Sequence, residues 1–200
     1  VVADPIAPQS LRPFQQSTAF LWDQPKWCLW LVDADPADLR ASRVLRDRLE
    51  IVRQARLDTR TLSVRQQANT PAVFNQIRQP SSRYLVLPEV SSERRRFVPA
   101  AYREPDVIAG NKLITIEGAD LWVFGVLQSS MWMAWVRTIA GRMKSDISLA
   151  PGLVYNAFPF PDRDDGRRPA RASDRGRGWP GRPTAVFRRW RPRSRSLRAS

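Results

Sequence analysis

The sequence predicts an α+β domain with a small mixed β-sheet packed on helices, followed by a disordered basic tail. Three observations favour this fold class. Short apolar, β-branched runs bounded by glycine, proline and polar residues are typical of strands, as at residues 113–116. Residues 120–139 are apolar nearly all round, which is typical of one long core helix. After residue 161 Arg, Gly, Pro, Ala and Ser dominate, and such a segment cannot bury enough apolar surface to fold.

Four segments are expected along the chain. Residues 1–25 are rich in proline and predict an irregular lead-in. Residues 26–80 predict a connector built from a strand and helices. Residues 81–161 predict the main folded domain, and residues 162–200 predict the disordered, Arg-rich tail.

The connector has recognisable start signals. Residues 27–32 form an almost continuous apolar run, which predicts a short buried strand. Asp35 is followed by proline, and this pair favours a helix start because Asp is a good N-cap and proline suits the first helical position. That amphipathic helix is expected to run to about Leu57. A shorter helix within residues 63–79 should break near a Thr-Pro pair.

The main domain begins with strand signals. Residues 84–87 predict a strand that ends at a proline, and residues 96–99 could pair with it across a polar link. Residues 113–116 predict a further strand, and residues 153–155 are another short strand candidate. The long apolar helix between them should end just before a glycine.

The net charge of +14 favours a polyanionic partner, with nucleic acid first and an anionic membrane second. Residues 162–200 hold 13 Arg and 4 Asp, so most of the excess lies in the tail. Two interpretations of the tail stay open. It is either a basic arm that adds nonspecific affinity for nucleic acid, or an out-of-frame stretch of a GC-rich gene. The second is favoured, because Arg, Gly, Pro and Ala have GC-rich codons.

Several function classes are excluded by composition. The chain has no histidine and one cysteine, which removes His-based triads, imidazole metal sites and an intramolecular disulfide. Cys28 lies in an apolar run and is expected to be a small buried residue. The chain lacks a Gly-rich phosphate loop and an Asn-Pro-Pro-aromatic motif. Its most apolar stretch, residues 121–136, is shorter than the roughly 20 residues that a bilayer requires, so it is expected to be a core helix rather than a membrane span. Nothing indicates secretion, so the cytoplasm is the default location. Nucleic acid is the favoured partner, and no membrane partner is expected.

Several separate motifs occur in a characteristic order. They are RPF at residues 12–14, WCLWL at 27–31, RYLVLPEVSSERRRFVP at 83–99, LWVFGVL at 121–127, SSMWMAWVR at 129–137, GRMKSD at 141–146 and VYNAFPFP at 154–161. Together they resemble the target recognition domain of MmeI-like type IIG/IIL restriction-modification enzymes, an adenine-specific DNA methyltransferase family. The resemblance covers residues 11–161 and ends at Asp162, which supports the out-of-frame interpretation of the tail.

The resemblance implies a sequence-specific DNA recognition module of an adenine-N6 methyltransferase, with residues 81–161 as the target recognition domain. The implied partners are double-stranded DNA and the catalytic domains of the parent enzyme. The intact family uses S-adenosylmethionine and Mg²⁺, and no cofactor or metal is expected in this chain. No catalytic motif or catalytic residue is found, so whether the chain is itself a small enzyme stays open. The alternative is a nonspecific nucleic-acid-binding protein that acts through its Arg-rich tail.

Lys144 and Asp146 are the principal candidates for base recognition. They lie two residues apart with opposite charges, just after the predicted helix end at Gly141. In an extended segment such residues point the same way, and in the major groove Lys donates to guanine while Asp accepts from cytosine N4. The resemblance implies that this pair reads one G·C pair. The alternative is an exposed salt bridge between the two side chains.

Five other residues are candidates. The resemblance implies base contacts for Lys112, in a second reading loop, and for Ser148, where relatives often carry Arg. Arg94, Arg95 and Arg142 are candidate phosphate contacts, which position a protein on DNA without specifying sequence. Alternate residues of a strand face opposite ways, so the run of three arginines beginning at Arg94 could not touch DNA with all its members. Solvated surface charge is the alternative for that run.

Trp122, Trp132 and Trp135 could stack on bases, but they occur within an apolar helix. Aromatic residues at such positions usually pack in a core. All three are therefore expected to be core residues.

Overall fold

The computed structural model describes residues 4–161. The disordered tail and the altered reading frame are expectations about residues 162–200, which lie outside the described residues. In the described part the strands are β1 (Leu11–Gln15), β2 (Trp27–Leu29), β3 (Tyr84–Pro88), β4 (Val90–Ser91), β5 (Ala101–Arg103), β6 (Ile108–Ala109), β7 (Leu113–Glu117), β8 (Gly141–Met143) and β9 (Asp146–Ser148). The helices are α1 (Ser17–Trp22), α2 (Pro36–Ala41), α3 (Arg43–Leu57), α4 (Leu62–Arg65), α5 (Leu121–Leu127) and α6 (Ser130–Ile139). This arrangement confirms the α+β fold class.

The chain divides into two compact units. The first contains residues 4–83 and 103–113, and the second contains residues 84–102 and 114–161. Among residues 4–161, no helix combines the length and the apolar character needed to cross a bilayer.

A mixed three-stranded sheet organises the first unit. Its strand order is β2-β1-β6, with β2 antiparallel and β6 parallel to β1. Residues 11–22, which the sequence led us to expect as irregular, form β1 and α1. The strand expected over residues 27–32 is shorter, and Trp27 is 63% exposed because β2 lies at the sheet edge. Cys28 in β2 is half-buried, and this burial raises the pKa of its thiol, so the neutral apolar form is favoured.

The helix expected from Asp35 to about Leu57 is interrupted. The Asp35 carboxylate accepts a hydrogen bond from the Ala37 N–H at 2.7 Å, which confirms the predicted N-cap. At Ser42 the backbone becomes extended, and the Ser42 hydroxyl caps α3 by accepting from the Leu45 N–H at 3.1 Å. Leu45 is fully buried with Ala7 and Leu31, so the two helices share one apolar cluster across the break.

The outer side of α3 is a solvated charged face. Arg53 Nε lies 2.9 Å from Glu50 Oε2, and Arg43 Nε lies 3.6 Å from Asp47 Oδ2, with both pairs exposed. The hydrogen bond from Arg53 lowers the pKa of Glu50. After α3, the chain forms α4 and a 3₁₀-helix, Gln66–Asn69, which confirms the short helix predicted within residues 63–79.

The second unit contains two three-stranded sheets, with strand orders β5-β3-β7 and β4-β9-β8. β3 is buried along its whole length, and β7 is mostly buried, which confirms the strands predicted at residues 84–87 and 113–116. The strand predicted at residues 96–99 is wrong, because β5 takes the place beside β3. Val98 is buried without strand pairing, and its carbonyl accepts from the Gln128 side-chain amide at 2.9 Å. The apolar pattern therefore indicated burial rather than extended pairing.

The prediction of one long helix over residues 120–139 is wrong, because this segment forms two separate helices, α5 and α6. Asp120 caps α5 through the Val123 N–H at 3.0 Å. Ser129 has an extended backbone, and its hydroxyl caps α6 by accepting from the Trp132 N–H at 3.1 Å. Both helices pack on one core. Apolar residues therefore recur at helical spacing on both sides of the break, and the sequence pattern does not reveal it.

Aromatic side chains pack against one another within this core. Trp132 is buried, and its ring meets Phe158 edge-on at 4.9 Å between centroids. Trp135 donates from Nε1 to the Val154 carbonyl at 2.9 Å, and Trp122 packs on Phe160 at 6.0 Å. The core interpretation of these tryptophans is confirmed. The strand predicted at residues 153–155 is wrong, because Pro151–Tyr155 is a π-helical turn in which the Asn156 N–H bonds the Pro151 carbonyl.

Candidate nucleic-acid interface

A β-hairpin follows α6 with almost no connecting chain. α6 ends at Ile139, and β8 begins at Gly141. β8 and β9 pair antiparallel, with Met143 opposite Asp146, so the turn consists of Lys144 and Ser145 alone. The hairpin therefore carries both principal candidates at its tip.

The two faces of this hairpin differ. Ile147 is buried in the core of the second unit, whereas its neighbours Asp146 and Ser148 are only half-buried. Because strand side chains alternate, Asp146 and Ser148 lie together on the side away from the core. Cross-strand partners share a face, so Met143 and Gly141 join them. We call Gly141, Met143, Asp146 and Ser148 the outer face.

The tip of the hairpin is only two strands wide. β4 pairs with β9 at Ser148 and Ile147, and it does not extend to the rung formed by Met143 and Asp146. A two-stranded β-ribbon is one of the elements that the major groove of B-DNA admits. The tip therefore has a width compatible with entry into that groove.

Gly141 leaves open space on the outer face. A Cβ atom built on Gly141 meets no atom within 4 Å, and Gly141 lies directly opposite Ser148. A larger residue at this position would cover that part of the face. The Ser148 hydroxyl is consequently approachable from the side of β8.

Lys144 has a conformation that the sequence did not predict. Its φ is +57°, in the left-handed region, and it occupies the first of the two turn positions. The expectation that Lys144 and Asp146 point the same way within one extended segment is therefore wrong. The hairpin register forces the chain to reverse at Lys144, so its exposed side chain projects from the tip, while Asp146 belongs to the returning strand.

The salt-bridge alternative for this pair is not found. No ion pair joins Lys144 and Asp146, and neither side chain has a hydrogen-bond partner among residues 4–161. Both polar groups are thus available to a ligand. An exposed pair would have contributed only about 0–1 kcal/mol in any case.

Arg142 lies apart from the outer face. It pairs with Ile147 across the hairpin, so its side chain starts on the opposite side. Its Nη1 is 3.4 Å from Glu93 Oε2, and it also donates to the Ser145 carbonyl at 3.4 Å. These contacts connect the hairpin to the segment after β4. The Glu93 carboxylate also partly neutralises the charge that a phosphate would meet.

Arg94 and Arg95 lie in a turn rather than in the expected strand. The Arg95 N–H donates to the Ser92 carbonyl at 3.1 Å, and the Arg94 N–H lies 3.4 Å from the Ser92 hydroxyl. Arg94 is exposed, and Arg95 is half-buried. Strand alternation therefore does not decide which of them is accessible; Arg94 is the more exposed of the two.

Lys112 belongs to the first unit. It lies in a turn in which the Leu113 N–H donates to the Gly110 carbonyl at 3.1 Å, and its side chain is exposed. A Cβ atom on Gly110 would lie 3.1 Å from the Gln15 carbonyl oxygen, so the close approach to β1 favours glycine there. Gly110 and Asn111 also border a cavity of about 310 Å³.

Sequence reasoning missed Met143 and Gly141. The signal that would have found them is the spacing of two three-residue strands around a two-residue turn. Lys-Ser is not one of the Asn-Gly or Asp-Gly pairs that mark such turns, so the hairpin went undetected. Without the hairpin, neither residue could be placed beside Asp146.

The described residues contain no group of three or more His, Cys, Asp or Glu side chains that could hold a metal ion. The side chains gathered on the outer face are instead one carboxylate, one hydroxyl and one thioether, with an ammonium group at the tip. Such a set can donate to and accept from base edges without a metal.

Comparisons with known proteins agree on one family. The family model for the MmeI target recognition domain matches residues 1–162. DNA methyltransferase A of Bacillus subtilis (strain 168) is 31% identical over 157 residues, which are 78% of this chain and 18% of that protein. The solved structure of the type IIL restriction-modification enzyme MmeI in complex with DNA is 35% identical with a TM-score of 0.78, over 82% of this chain and 22% of that one. The chain thus spans about a fifth of the length of each relative.

Proposed function

Because this chain belongs to the family of MmeI target recognition domains, we propose that it recognises the target sequence in double-stranded DNA for a site-specific adenine-N6 methyltransferase. The family match and the similarity to an enzyme solved with DNA support this proposal. Since the chain spans about a fifth of each relative, methyl transfer and cleavage are assigned to catalytic domains in the rest of the parent enzyme.

One observation carries the proposal: the hairpin tip presents Lys144 and Asp146 without any partner among residues 4–161. With the tip in the major groove, the Lys144 ammonium group donates to O6 and N7 of guanine. The Asp146 carboxylate accepts from the N4 amino group of the paired cytosine. The two contacts together select one G·C pair in one orientation.

The remaining candidates have supporting roles in this proposal. The Ser148 hydroxyl, next to the space above Gly141, donates to or accepts from a neighbouring base edge. Exposed Arg94 contacts phosphate, with Arg95 beside it, and Lys112 belongs to a second reading loop. Phosphate contacts position the hairpin and make the affinity depend on salt concentration.

We assign neither S-adenosylmethionine nor Mg²⁺ to this chain. The described residues offer no acidic cluster that would suit Mg²⁺, and the sequence contains no Gly-rich motif for a nucleotide-like cofactor. Both groups belong to the catalytic domains in this proposal. We place the parent enzyme in the cytoplasm, since an enzyme that modifies DNA must share the compartment of its substrate.

A selection from a randomised duplex library tests the base-reading role. The full chain is compared with the double variant Lys144→Glu, Asp146→Arg, which exchanges the two charges. We expect the preference to change at one base pair, with a mismatch there costing about 1–3 kcal/mol. The matched control is Arg43→Glu with Asp47→Arg, which exchanges an exposed ion pair on α3. Equal weakening at all sequences by the hairpin variant, or the same outcome in the control, would refute the role.

The charge of the tail favours one alternative, nonspecific binding through residues 162–200. Deletion of those residues distinguishes the two functions. A recognition domain keeps its sequence preference and loses only salt-dependent affinity. If duplex binding disappears and no preference remains, the tail is responsible and the proposed function is wrong.

A further inference from the structure

Met143 is an exposed apolar side chain in an unusual position. It is 53% exposed, and it lies directly across the hairpin from Asp146. Single exposed apolar residues are common and need no explanation by themselves. This one is the cross-strand neighbour of a proposed base-reading carboxylate, at the two-stranded tip.

Packing does not account for Met143. Within the described part of the chain, it is not among the side chains that pack against the core of the second unit. Ile147 supplies the buried contact of the hairpin, from the opposite face. The Met143 thioether therefore remains available for contact with a ligand on the outer face.

The separation of the two side chains on this rung is between one and two base-pair steps. Side chains directly opposite each other in an antiparallel pair have Cβ atoms about 4.5–5.5 Å apart. Successive nucleotides along one DNA strand are about 3.4 Å apart along the helix axis. When Asp146 accepts from a cytosine N4 amino group and the rung lies along the groove, the Met143 side chain is within reach of a neighbouring base pair.

The major groove offers one prominent apolar group, the C5-methyl of thymine. A flexible thioether side chain adapts well to such a contact. We propose that Met143 is a further specificity-determining residue, which reads the thymine methyl group in the base pair next to the G·C pair. This inference rests on the proposed function, since it requires the hairpin to lie in the major groove.

Replacement of thymine by uracil tests the contact, because uracil lacks only the C5-methyl group. The preferred duplex is first selected with the full chain, at a salt concentration that suppresses phosphate-only binding. Each thymine flanking the G·C pair is then replaced by uracil. We expect about fourfold weaker binding at one such position, the effect of removing one buried methyl group.

A double-mutant cycle assigns the effect to Met143. In Met143→Ala the thymine-to-uracil ratio of affinities should fall to about one, and Met143→Leu should restore most of it. The matched control is Met131→Ala, which truncates a methionine on α6 that is 46% exposed. That variant should keep the roughly fourfold ratio of the unmodified chain.

Two results would overturn the inference. One is an unchanged thymine-to-uracil ratio in Met143→Ala, and the other is the absence of a discriminated thymine beside the G·C pair. If the chain still selects the G·C pair, only the role of Met143 fails. If the chain selects no sequence at all, the proposed function fails together with it.

Discussion

The hydroxyl group of Ser42 donates a 2.6 Å hydrogen bond to the carboxylate of Asp4, 38 residues earlier in the chain. The same carboxylate accepts from the Ile6 and Ala7 N–H groups at 2.9 and 3.0 Å. These bonds stabilise the ionised form and lower the pKa of Asp4 from 3.8 to about 2, with the bond from Ser42 as the largest cause. Ser42 also caps α3, so the N-terminal segment is attached to the start of that helix.

The Asp4 network should make the stability of the first unit depend on pH in acid. The folded-state pKa of Asp4 lies below its ordinary value of 3.8, so its contribution is complete above about pH 4 and is lost as the pH falls towards 2. Urea unfolding between pH 2 and 5 should show a smaller loss of stability on acidification in Asp4→Asn than in the unmodified chain. Asp47→Asn, on the exposed side of α3, is the control. Equal acid sensitivity in Asp4→Asn and the unmodified chain would contradict this role.

Ser129→Ala should reduce the free energy of unfolding by about 1 kcal/mol, because it removes the cap of α6. Ser130→Ala is the matched control. Ser130 is the adjacent, exposed first residue of α6, and it makes no capping bond, so its replacement should change stability by less than about 0.5 kcal/mol. Denaturant midpoints of the two variants give the comparison. Equal losses of stability in the two variants would mean that the Ser129 hydroxyl does not stabilise the start of α6.

Lys144→Gly should separate folding from recognition. Glycine adopts positive φ without the steric cost of a side chain, so the variant should be as stable as the unmodified chain or more stable, by up to about 1 kcal/mol. Ser145 lacks positive φ, and Ser145→Gly should destabilise the hairpin by about 0.5–1 kcal/mol. Thermal unfolding of the two variants checks whether their stabilities change in opposite directions. In a library selection only Lys144→Gly should lose the guanine preference, and its retention would remove Lys144 from the site.

Gly141→Val should impair recognition without impairing the fold. A Cβ atom at this position meets no atom within 4 Å and the surrounding space is open, so the free energy of unfolding should change by less than about 0.5 kcal/mol. On the outer face it would occupy the space beside Ser148, and we expect specific duplex binding to weaken by on the order of tenfold, about 1.4 kcal/mol. Gly125→Val fills similarly open space on α5 and should leave binding unchanged. Unaltered binding by Gly141→Val would show that DNA does not approach this space.

The elements that sequence predicted well are those with local signals. The buried strands β3 and β7 were visible as apolar runs between turn residues, and Asp35 was visible as a helix cap. The caps at Ser42 and Ser129 were not visible, because each interrupts an apolar pattern that continues on the same core. A single serine within such a pattern is compatible with the interior of a helix.

The candidate site depended on resemblance for its residues and on structure for its geometry. Lys144 and Asp146 were identified from a motif, but their arrangement follows from the pairing of β8 with β9. That register is a tertiary property, which the spacing of two charges does not reveal. For the same reason Met143 and Gly141 became candidates only when their cross-strand partners were known.

The left-handed backbone at residue 144 restricts the repertoire of side chains through which the target sequence could be changed. Glycine, asparagine and aspartate tolerate this conformation, whereas β-branched residues do so poorly. Asparagine is also the residue that pairs with adenine through N6 and N7. If Lys144 reads guanine as proposed, Lys144→Asn is therefore compatible with the existing turn and should shift the preference to adenine. A threonine at this position would instead require a change in the backbone conformation of the turn.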